Sequence, residues 1–441
     1  MRTHRRATAA AVAALLGSLS LLGAGSAPAT AADTSTRLPV SSFRDIVVDG
    51  VHDRVFISDP SGGSIVVTDY AGAVVQHITA EDGAAGLALS KDSSKVYVAL
   101  SSAGAISEID TSTLTETRRY PIGADVSPQN LALAGGKLWF GYAVGSSGDI
   151  GSLDLSGTDP VVTLDLTSTS WYYAPSLASS PADPNVLVAG QEGVSPATLA
   201  VYEATATGLQ QRANRLFTQD PQVSFLNDFA VTADGQNIVM AANNPSAHEV
   251  VRTSDLSANG SYSSWAFPNA VAVATDGTLA TGASDYAVQT YRPGSTVPLH
   301  TYFEPDDLQR DGLAWAPDDN RLFTVSGDVV PTLHVLPDAG KTESTLTLEA
   351  PSTIAKNRAL TVNGTLSAFE PFAGTPTVEV TRTDTESPNG TPLGTFLVSA
   401  DGRFQFTDRP RMAGQTTYTA RYAGDTQHIA ATTEVTVNVT K

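Results

Sequence analysis

The stretch LAWAPDDNRLFTV, residues 313–325, decides the fold of this 441-residue chain. Two short runs of β-forming residues, 313–316 and 321–325, flank a Pro-Asp-Asp-Asn turn. Proline presets the φ angle of a turn, and Asp and Asn side chains bond nearby backbone amides and tolerate the left-handed conformation. The stretch therefore predicts a tight β-hairpin.

The same hairpin pattern recurs between residues 46 and 325. Its copies begin at Ile46, Leu87, Leu131, Leu177, Phe229, Val271 and Leu313, at intervals of 41, 44, 46, 52, 42 and 42 residues. A third β-type run follows each hairpin, and a weaker fourth run usually comes after it. Four strands per unit at a period of ~40–50 residues are typical of propeller blades. The sequence thus predicts an all-β fold that begins with a seven-bladed β-propeller over residues 33–340.

Two details of the repeat agree with a propeller. The second residue of the first run is Ala in every copy except the first, which has Val47, and small side chains suit strands that converge on an axis. The seventh unit lacks a fourth run of its own. We expect residues 36–40 to supply that strand and so to close the ring without exposed edges.

Composition changes after Lys341. Residues 342–441 contain no Trp and show about seven runs of alternating Thr and Val, which predicts an Ig-like β-sandwich as a second domain. Tyr418, near the start of the sixth run, is placed as a tyrosine corner would be.

Residues 1–32 have the pattern of a signal peptide. Three arginines precede an uncharged apolar run at 7–24, and small residues follow at 29–31. We therefore expect a secreted protein, extracellular or loosely associated with the cell wall.

Charge and composition narrow the function classes. The net charge is −19, and removal of residues 1–32 takes away three arginines and no acid, which gives −22. Such acidity argues against nucleic acid and anionic membranes as partners. No later apolar run approaches the ~20 residues of a membrane helix, so we expect no membrane insertion. Because Cys is absent, disulfides and Cys-based sites are excluded. We expect a monomer.

Two motifs carry a family resemblance. The hairpins FAVTADG (229–235) and VAVATDG (271–277) resemble those of YVTN-type, surface-layer and lactonase-like β-propellers of secreted bacterial proteins. The run RYAGDTQHIAAT (421–432) resembles the last hairpin of bacterial Ig-like repeat domains and implies an extracellular or cell-surface accessory module. Neither resemblance supplies a catalytic motif.

The predicted functional surface is the face where the first strands of the blades begin. The long predicted loops lie there, and long loops on a rigid scaffold are where binding residues accumulate. Polar residues immediately precede the first strands and are expected at the mouth of the axial channel: Arg44, Asp45, Gln129, Asn130, Asn227, Asp228, Asn269, Arg310 and Asp311. These side chains either bind a ligand or hold loops and blades in register.

Three consecutive aromatic residues, Trp171, Tyr172 and Tyr173, occupy the loop that leads into the fourth blade. Without strand alternation they are not easily all buried. They either stack on a ligand as exposed side chains or plug the channel mouth.

Catalytic and metal-binding motifs are weak. The histidines show neither HxH nor HExxH spacing, and no GxSxG motif is present, so we predict no catalytic residue and no metal ligand. One acidic cluster, Glu304, Asp306, Asp307 and Asp311, offers oxygen ligands for Ca²⁺ but lacks the DxDxDG pattern, and a solvated acidic loop is the competing interpretation. We expect no cofactor, with Ca²⁺ as the one candidate.

The sequence therefore favours a non-enzymatic extracellular or cell-surface protein whose propeller recognises a glycan, peptide or protein on its loop-rich face. The alternative is a lactonase- or lyase-type propeller enzyme that acts on a small molecule at the channel mouth. A purely structural envelope component is a third hypothesis.

Overall fold

The computed structural model describes residues 34–264, 266–284 and 286–441; the predicted signal peptide lies outside them. The described chain divides into two compact units, residues 34–342 and Glu343–Lys441. Every regular element in the described ranges is a β-strand. Among these residues, no helix has the length and apolarity to cross a membrane.

The first unit consists, in its described part, of seven four-stranded antiparallel sheets. After β1 (Thr34–Arg37), sheet 1 contains β2 (Ile46–Asp49), β3 (Arg54–Asp59), β4 (Ser64–Asp69) and β5 (Val74–Thr79). Sheet 2 contains β6 (Ala84–Leu89), β7 (Lys95–Leu100), β8 (Ala105–Asp110) and β9 (Thr115–Pro121). Sheet 3 contains β10 (Ser127–Ala134), β11 (Lys137–Val144), β12 (Ser147–Asp154) and β13 (Val161–Thr163).

The remaining sheets follow the same plan. Sheet 4 contains β14 (Ser176–Ser179), β15 (Val186–Gly190), β16 (Thr198–Thr205) and β17 (Gly208–Leu216). Sheet 5 contains β18 (Ser224–Val231), β19 (Asn237–Asn244), β20 (Ala247–Arg252) and β21 (Ala258–Ser263). Sheet 6 contains β22 (Pro268–Val273), β23 (Leu279–Ala283), β24 (Ala287–Tyr291) and β25 (His300–Phe303). Sheet 7 contains β26 (Leu308–Trp315), β27 (Arg321–Ser326) and β28 (Thr332–Pro337), with β1 as its fourth strand.

The hairpin from which the prediction began is present as β26 and β27. Leu313 pairs with Thr324. In its turn, Asp319 adopts a left-handed φ of 57°, and the Asp318 carboxylate accepts the Asn320 amide at 3.0 Å. The short polar side chains thus make the turn for which the sequence selects them.

The sheets follow one another in a closed cycle. Their first strands contact in the order β2, β6, β10, β14, β18, β22 and β26, and β26 returns to β2. Each cluster of buried apolar side chains in this unit lies between two consecutive sheets, including the cluster between sheets 7 and 1. Burial of both faces of each sheet explains the nearly continuous apolar inner strands.

The N-terminal strand closes this cycle, as predicted. β1 pairs antiparallel with β28, with Thr36 opposite Leu333. The strand spans Thr34–Arg37 rather than residues 36–40. Leu38 follows the strand: its side chain is buried between sheets 7 and 1, and its amide donates to Pro331 O at 2.9 Å.

The second unit has two sheets around one core. Its strands are β29 (Ser344–Glu349), β30 (Thr353–Ala355), β31 (Leu360–Ala368), β32 (Thr377–Thr383), β33 (Thr391–Leu397), β34 (Arg403–Asp408), β35 (Gly414–Tyr422) and β36 (Ala431–Thr440). One sheet has the order β29-β31-β34 and the other β30-β36-β35-β32-β33. Tyr418 is buried, and its hydroxyl donates to the Asp408 side chain at 2.8 Å, whereas a tyrosine corner bonds the backbone.

Antiparallel pairing puts two sets of loops at the same end of the sheets in the first unit. The first set leads into the first strands, and the second set joins the second strands to the third. We call this end the mouth face. The hairpins that join first to second strands lie at the opposite end.

Candidate functional site

β-Bulges shape the start of the first strands. The pairing register shifts between residues 84 and 87, 128 and 130, 226 and 228, 268 and 270, and 308 and 313. A bulge interrupts the alternation of side chains and redirects one of them. The bulged segments contain Gln129, Asn227, Asn269 and Asp311, and Asp311 itself has a left-handed φ of 54°. Local backbone structure therefore decides where the polar residues of the predicted mouth point.

The Arg44 guanidinium joins residues from distant parts of the chain. It donates to Asn130 Oδ1 at 2.8 Å, to Glu192 Oε1 at 3.1 Å and to the Asp311 carboxylate. Glu192 also accepts the hydroxyl of Ser176. Arg44, Asn130 and Asp311 are thus brought together as the sequence predicts, whereas Glu192 and Ser176 were missed. Glu192 lies in the loop of residues 191–197, one of the long loops of the predicted functional surface.

Two aspartates connect neighbouring sheets through backbone amides. Asp45 accepts the amide of Ile46 with one oxygen and that of Leu87, in sheet 2, with the other, both at 2.7 Å. Asp228 accepts Phe229 N at 2.6 Å and Val271 N, in sheet 6, at 2.7 Å. Both oxygens of both side chains therefore have protein partners.

Three amides make a parallel set of contacts between sheets. Asn130 donates to Pro175 O at 3.0 Å, Asn227 to Pro268 O at 2.7 Å, and Asn269 to Leu308 O at 2.9 Å. The carbonyls of Pro268 and Leu308 belong to the sheet that follows in the cycle, and Pro175 immediately precedes β14, the first strand of sheet 4. These contacts are those expected of side chains that hold sheets in register.

The last two polar residues of the predicted set lie outside these networks. Gln129 is partly buried and reaches only Ser127 Oγ, at 3.5 Å. Arg310 is exposed on the mouth face.

Several carboxyl groups surround the single guanidinium, and burial disfavours their charged forms. Burial and the nearby charge of Asp311 raise the pKa of Asp45 to about 7. Burial raises the pKa of Asp228, which shares a side-chain hydrogen bond with Asp311. Burial also raises the pKa of Asp311, against the opposing effect of Arg44. Asp228 and Asp311 are therefore a pair of buried carboxyl groups that affect each other's protonation.

Two cavities open at this centre. The smaller, of about 200 Å³, is a polar well lined by Arg44, Asp45, Asn130, Asp228 and Asp311, among others. The larger, of about 470 Å³, lies beside it and shares Arg44 with the well. Its other lining residues are Phe43, Glu192, Asn269, Ser284, Asp307, Leu308, Gln309, Arg310 and Asp328.

The three consecutive aromatics separate into two environments. Trp171 is 3% exposed, which corrects its assignment as an exposed stacking residue. Its backbone pairs with Gly148, and its ring packs in the cluster between sheets 3 and 4. Tyr172 and Tyr173 are 70% and 55% exposed. The loop folds back onto sheet 3, and this tertiary contact decides which ring is buried.

Other exposed aromatics accompany the tyrosines. Sequence reasoning did not select them, because they are isolated in the chain. We call the set the aromatic rim: Tyr172, Tyr173, Phe225, Phe267, Tyr286 and Phe303. Every exposed Phe or Tyr side chain described in the first unit belongs to this rim, and every one lies on the mouth face.

Hydrogen bonds connect two residues of the rim to the loops around the polar centre. The Tyr172 amide donates to Gln191 Oε1 at 2.8 Å, next to Glu192. The Ser284 amide, from the lining of the larger cavity, donates to Phe267 O at 2.9 Å. Two rim residues are therefore linked through their backbones to the loops that carry Glu192 and Ser284, and Phe43 is the aromatic residue in the lining of the larger cavity.

A buried Ser-His-Glu chain lies elsewhere in sheet 7. Ser326 Oγ is 2.9 Å from His334 Nε2, and His334 Nδ1 is 3.1 Å from Glu304 Oε2. Burial lowers the pKa of His334. This order matches a hydrolase triad, but Ser326 is 0% exposed, so a substrate carbonyl has no access to its Oγ. The set connects the loop after β25 to sheet 7.

The acidic cluster of residues 304–311 is divided. Glu304 is buried against His334 and Thr324, whereas Asp311 bonds Arg44 at the mouth. Across the described ranges, no group of three or more His, Asp or Glu side chains is arranged to hold a metal ion.

Comparison with known proteins identifies the fold. No protein-family profile matches the chain, and no curated protein matches it in sequence. Hydrazine synthase of Kuenenia stuttgartiensis is similar in structure, with a TM-score of 0.53, 15% identity, and coverage of 69% of this chain and 97% of that one. The β-propeller domain of Cps50 (Swd1) from Myceliophteria thermophila gives a TM-score of 0.52 at 11% identity, and covers 69% of this chain and 99% of its own. Together with the repeated four-stranded sheets, these likenesses show that the chain contains a β-propeller.

Proposed function

We propose that the seven sheets are the blades of one seven-bladed propeller of the YVTN or lactonase-like type, followed by an Ig-like domain, in a secreted bacterial protein. The closed cycle of first strands and the pairing of β1 with β28 support the blade count. Two sheets around a shared core support the Ig-like assignment. The signal-peptide pattern of residues 1–32 supports secretion.

We propose that this protein is a non-enzymatic extracellular binding protein whose mouth face recognises a glycan, peptide or protein. The aromatic rim is the observation that carries the proposal. Exposed aromatic side chains are costly to leave in water and are enriched where a partner covers them. Their restriction to one face of the unit supports a single binding surface.

The contacts of the acidic residues favour binding over catalysis. Both oxygens of Asp45 and of Asp228 accept backbone amides, and Asp311 bonds Arg44. A general base needs an oxygen within reach of a substrate proton. These carboxyl groups support the scaffold, and the rim supplies the contact area.

The test is a binding screen of the purified protein against glycan arrays, peptide libraries and envelope extracts. It is repeated with a Tyr172→Ala/Tyr173→Ala variant and with Phe369→Ala, which removes an exposed aromatic from the second unit. We expect the rim variant to lose at least tenfold in affinity for the ligand found, about the effect of a hot-spot pair. The Phe369 variant should bind like the unaltered protein. Equal binding by the unaltered protein and the rim variant would exclude the rim as the binding surface.

A second candidate is lactonase- or lyase-type chemistry, favoured by the Asp228–Asp311 pair. Two carboxyl groups that share a proton can act as general acid and base. A panel of lactones and uronides, turned over by the unaltered protein and not by Asp311→Asn, would establish this candidate instead.

A further inference from the structure

The loops of the mouth face carry far more negative than positive charge. In the described parts of its loops Arg44 is the single Lys or Arg, and Arg310, near the start of β26, is a second positive charge on this face. The same loops carry many acidic residues, of which Glu81 and Glu304 are buried: Asp45, Glu81, Asp82, Asp125, Asp165, Glu192, Asp220, Glu304, Asp306, Asp307 and Asp328. A surface with this excess attracts cations and repels anions.

The one positive charge at the centre is already compensated. Arg44 bonds both Glu192 and Asp311. The polar well thus already holds a guanidinium from its own chain. Its carboxylates and the Asn130 side-chain carbonyl therefore accommodate a cationic group of this kind. Arg44 therefore contributes little attraction for an anionic ligand.

The larger cavity combines the two features that a cationic side chain requires. Glu192, Asp307 and Asp328 line it, and the Asp328 carboxylate also accepts Gln309 Nε2 at 2.6 Å. Phe43 is the aromatic residue in its lining, and the lining residue Ser284 donates its amide to the backbone carbonyl of the rim residue Phe267. Ammonium and guanidinium groups are bound by carboxylates and by the faces of aromatic rings, and the two effects add at a partly desolvated site.

We propose that the ligand of the mouth face is a basic polypeptide segment, whose Lys or Arg side chain enters the larger cavity while the chain lies across the aromatic rim. This inference rests on the proposed binding function and narrows its ligand class. The charge of the face supports the choice, because a neutral glycan would gain nothing from the acidic excess. Arg310, exposed at the cavity, is the one residue that opposes such a ligand.

The experiment measures fluorescence anisotropy of labelled peptides of equal length that alternate Gly with Lys and Arg, or Gly with Glu, together with a neutral oligosaccharide. We expect binding of the basic peptide alone, weakened about tenfold between low and physiological salt, since exposed charges are screened. Asp307→Asn and Asp328→Asn should each weaken binding about three- to tenfold, and Arg310→Ala should strengthen it. Asp92→Asn, in a hairpin of the opposite face, is the matched control and should change nothing.

Circular dichroism and thermal melting confirm that each variant is folded. Equal affinity for basic and acidic peptides would overturn the inference. Rim-dependent binding of the neutral oligosaccharide would also overturn it, while the binding function itself would stand. If no ligand of any class shows rim dependence, both proposals fail.

Discussion

The carboxylate of Asp228 accepts the backbone amide of Val271, in the next sheet, at 2.7 Å. Asp45 makes the same contact with Leu87. Asp228→Ala should lower the free energy of unfolding by about 1–3 kcal/mol, because amides between sheets lose their acceptor. Asp159→Ala, on an exposed turn, is the control for urea denaturation. Equal losses in the two variants would show that the contact does not stabilise the ring.

Closure of the ring gives a second prediction. Deletion of residues 33–41 removes β1 and the buried Leu38, which leaves β28 as an open edge. We expect a sharply lower melting temperature and a greater tendency to aggregate, because an unpaired edge strand recruits other chains. Calorimetry and light scattering measure both. A deletion variant that melts like the parent would contradict the role of β1 in stability.

Trp171 and Tyr172 should respond in opposite ways to truncation. Trp171→Ala empties a packed site between sheets 3 and 4 and should cost about 3–5 kcal/mol of stability. Tyr172→Ala removes an exposed ring and should change stability by about 0.5 kcal/mol or less, while it weakens ligand binding. Chemical denaturation and the binding screen together separate the two roles. A stable Trp171 variant would mean that the cluster repacks.

The raised pKa values predict how stability depends on pH. An acid whose pKa is higher in the folded than in the unfolded chain binds protons more tightly when folded. For Asp45, with a pKa of about 7, this tighter proton binding stabilises the folded chain fully below about pH 4. The stabilisation is lost as the pH rises through 7. The raised pKa values of Asp228 and Asp311 have the same effect on stability. Arg44 and Glu192 are the other charged groups that face these carboxyl groups.

Asp45→Asn removes one of these titrations. The variant should therefore lose less stability than the parent between pH 5 and pH 8, as measured by urea denaturation at each pH. Asp159→Asn, on an exposed turn, is the control. Identical slopes for all three proteins would mean that Asp45 does not titrate in this range.

Tyr418 gives a prediction for the second unit. Its buried hydroxyl donates to Asp408, which also bonds Arg382 Nη1 at 3.1 Å. Tyr418→Phe should cost about 1–2 kcal/mol, since the bond to a charged acceptor is lost while the ring is kept. Residues 342–441 expressed alone should fold and show this loss in thermal melts. Disorder of that fragment would mean that it depends on the rest of the chain.

The sequence by itself determined the repeated architecture. Turn residues and β-forming runs act over a few positions, so the hairpin at 313–325 and its copies are visible without any tertiary contact. The missing fourth run of the last unit was enough to assign the N-terminal segment to sheet 7. The predicted bounds are late by two residues at the start and by three at the end, because Leu38 continues the apolar pattern although its side chain is buried by packing beyond the end of the strand.

The tertiary structure decided the site. Arg44 and Asp311 are 267 residues apart, and their contact requires the closed cycle of sheets. Trp171 is buried and its neighbour Tyr172 is exposed because the loop folds back onto Gly148, a contact that no local pattern encodes. The aromatic rim is likewise assembled from residues isolated in the chain. Burial and electrostatic coupling depend on distances between different strands and loops, whereas a sequence pattern gives only the order of residues within one strand or loop.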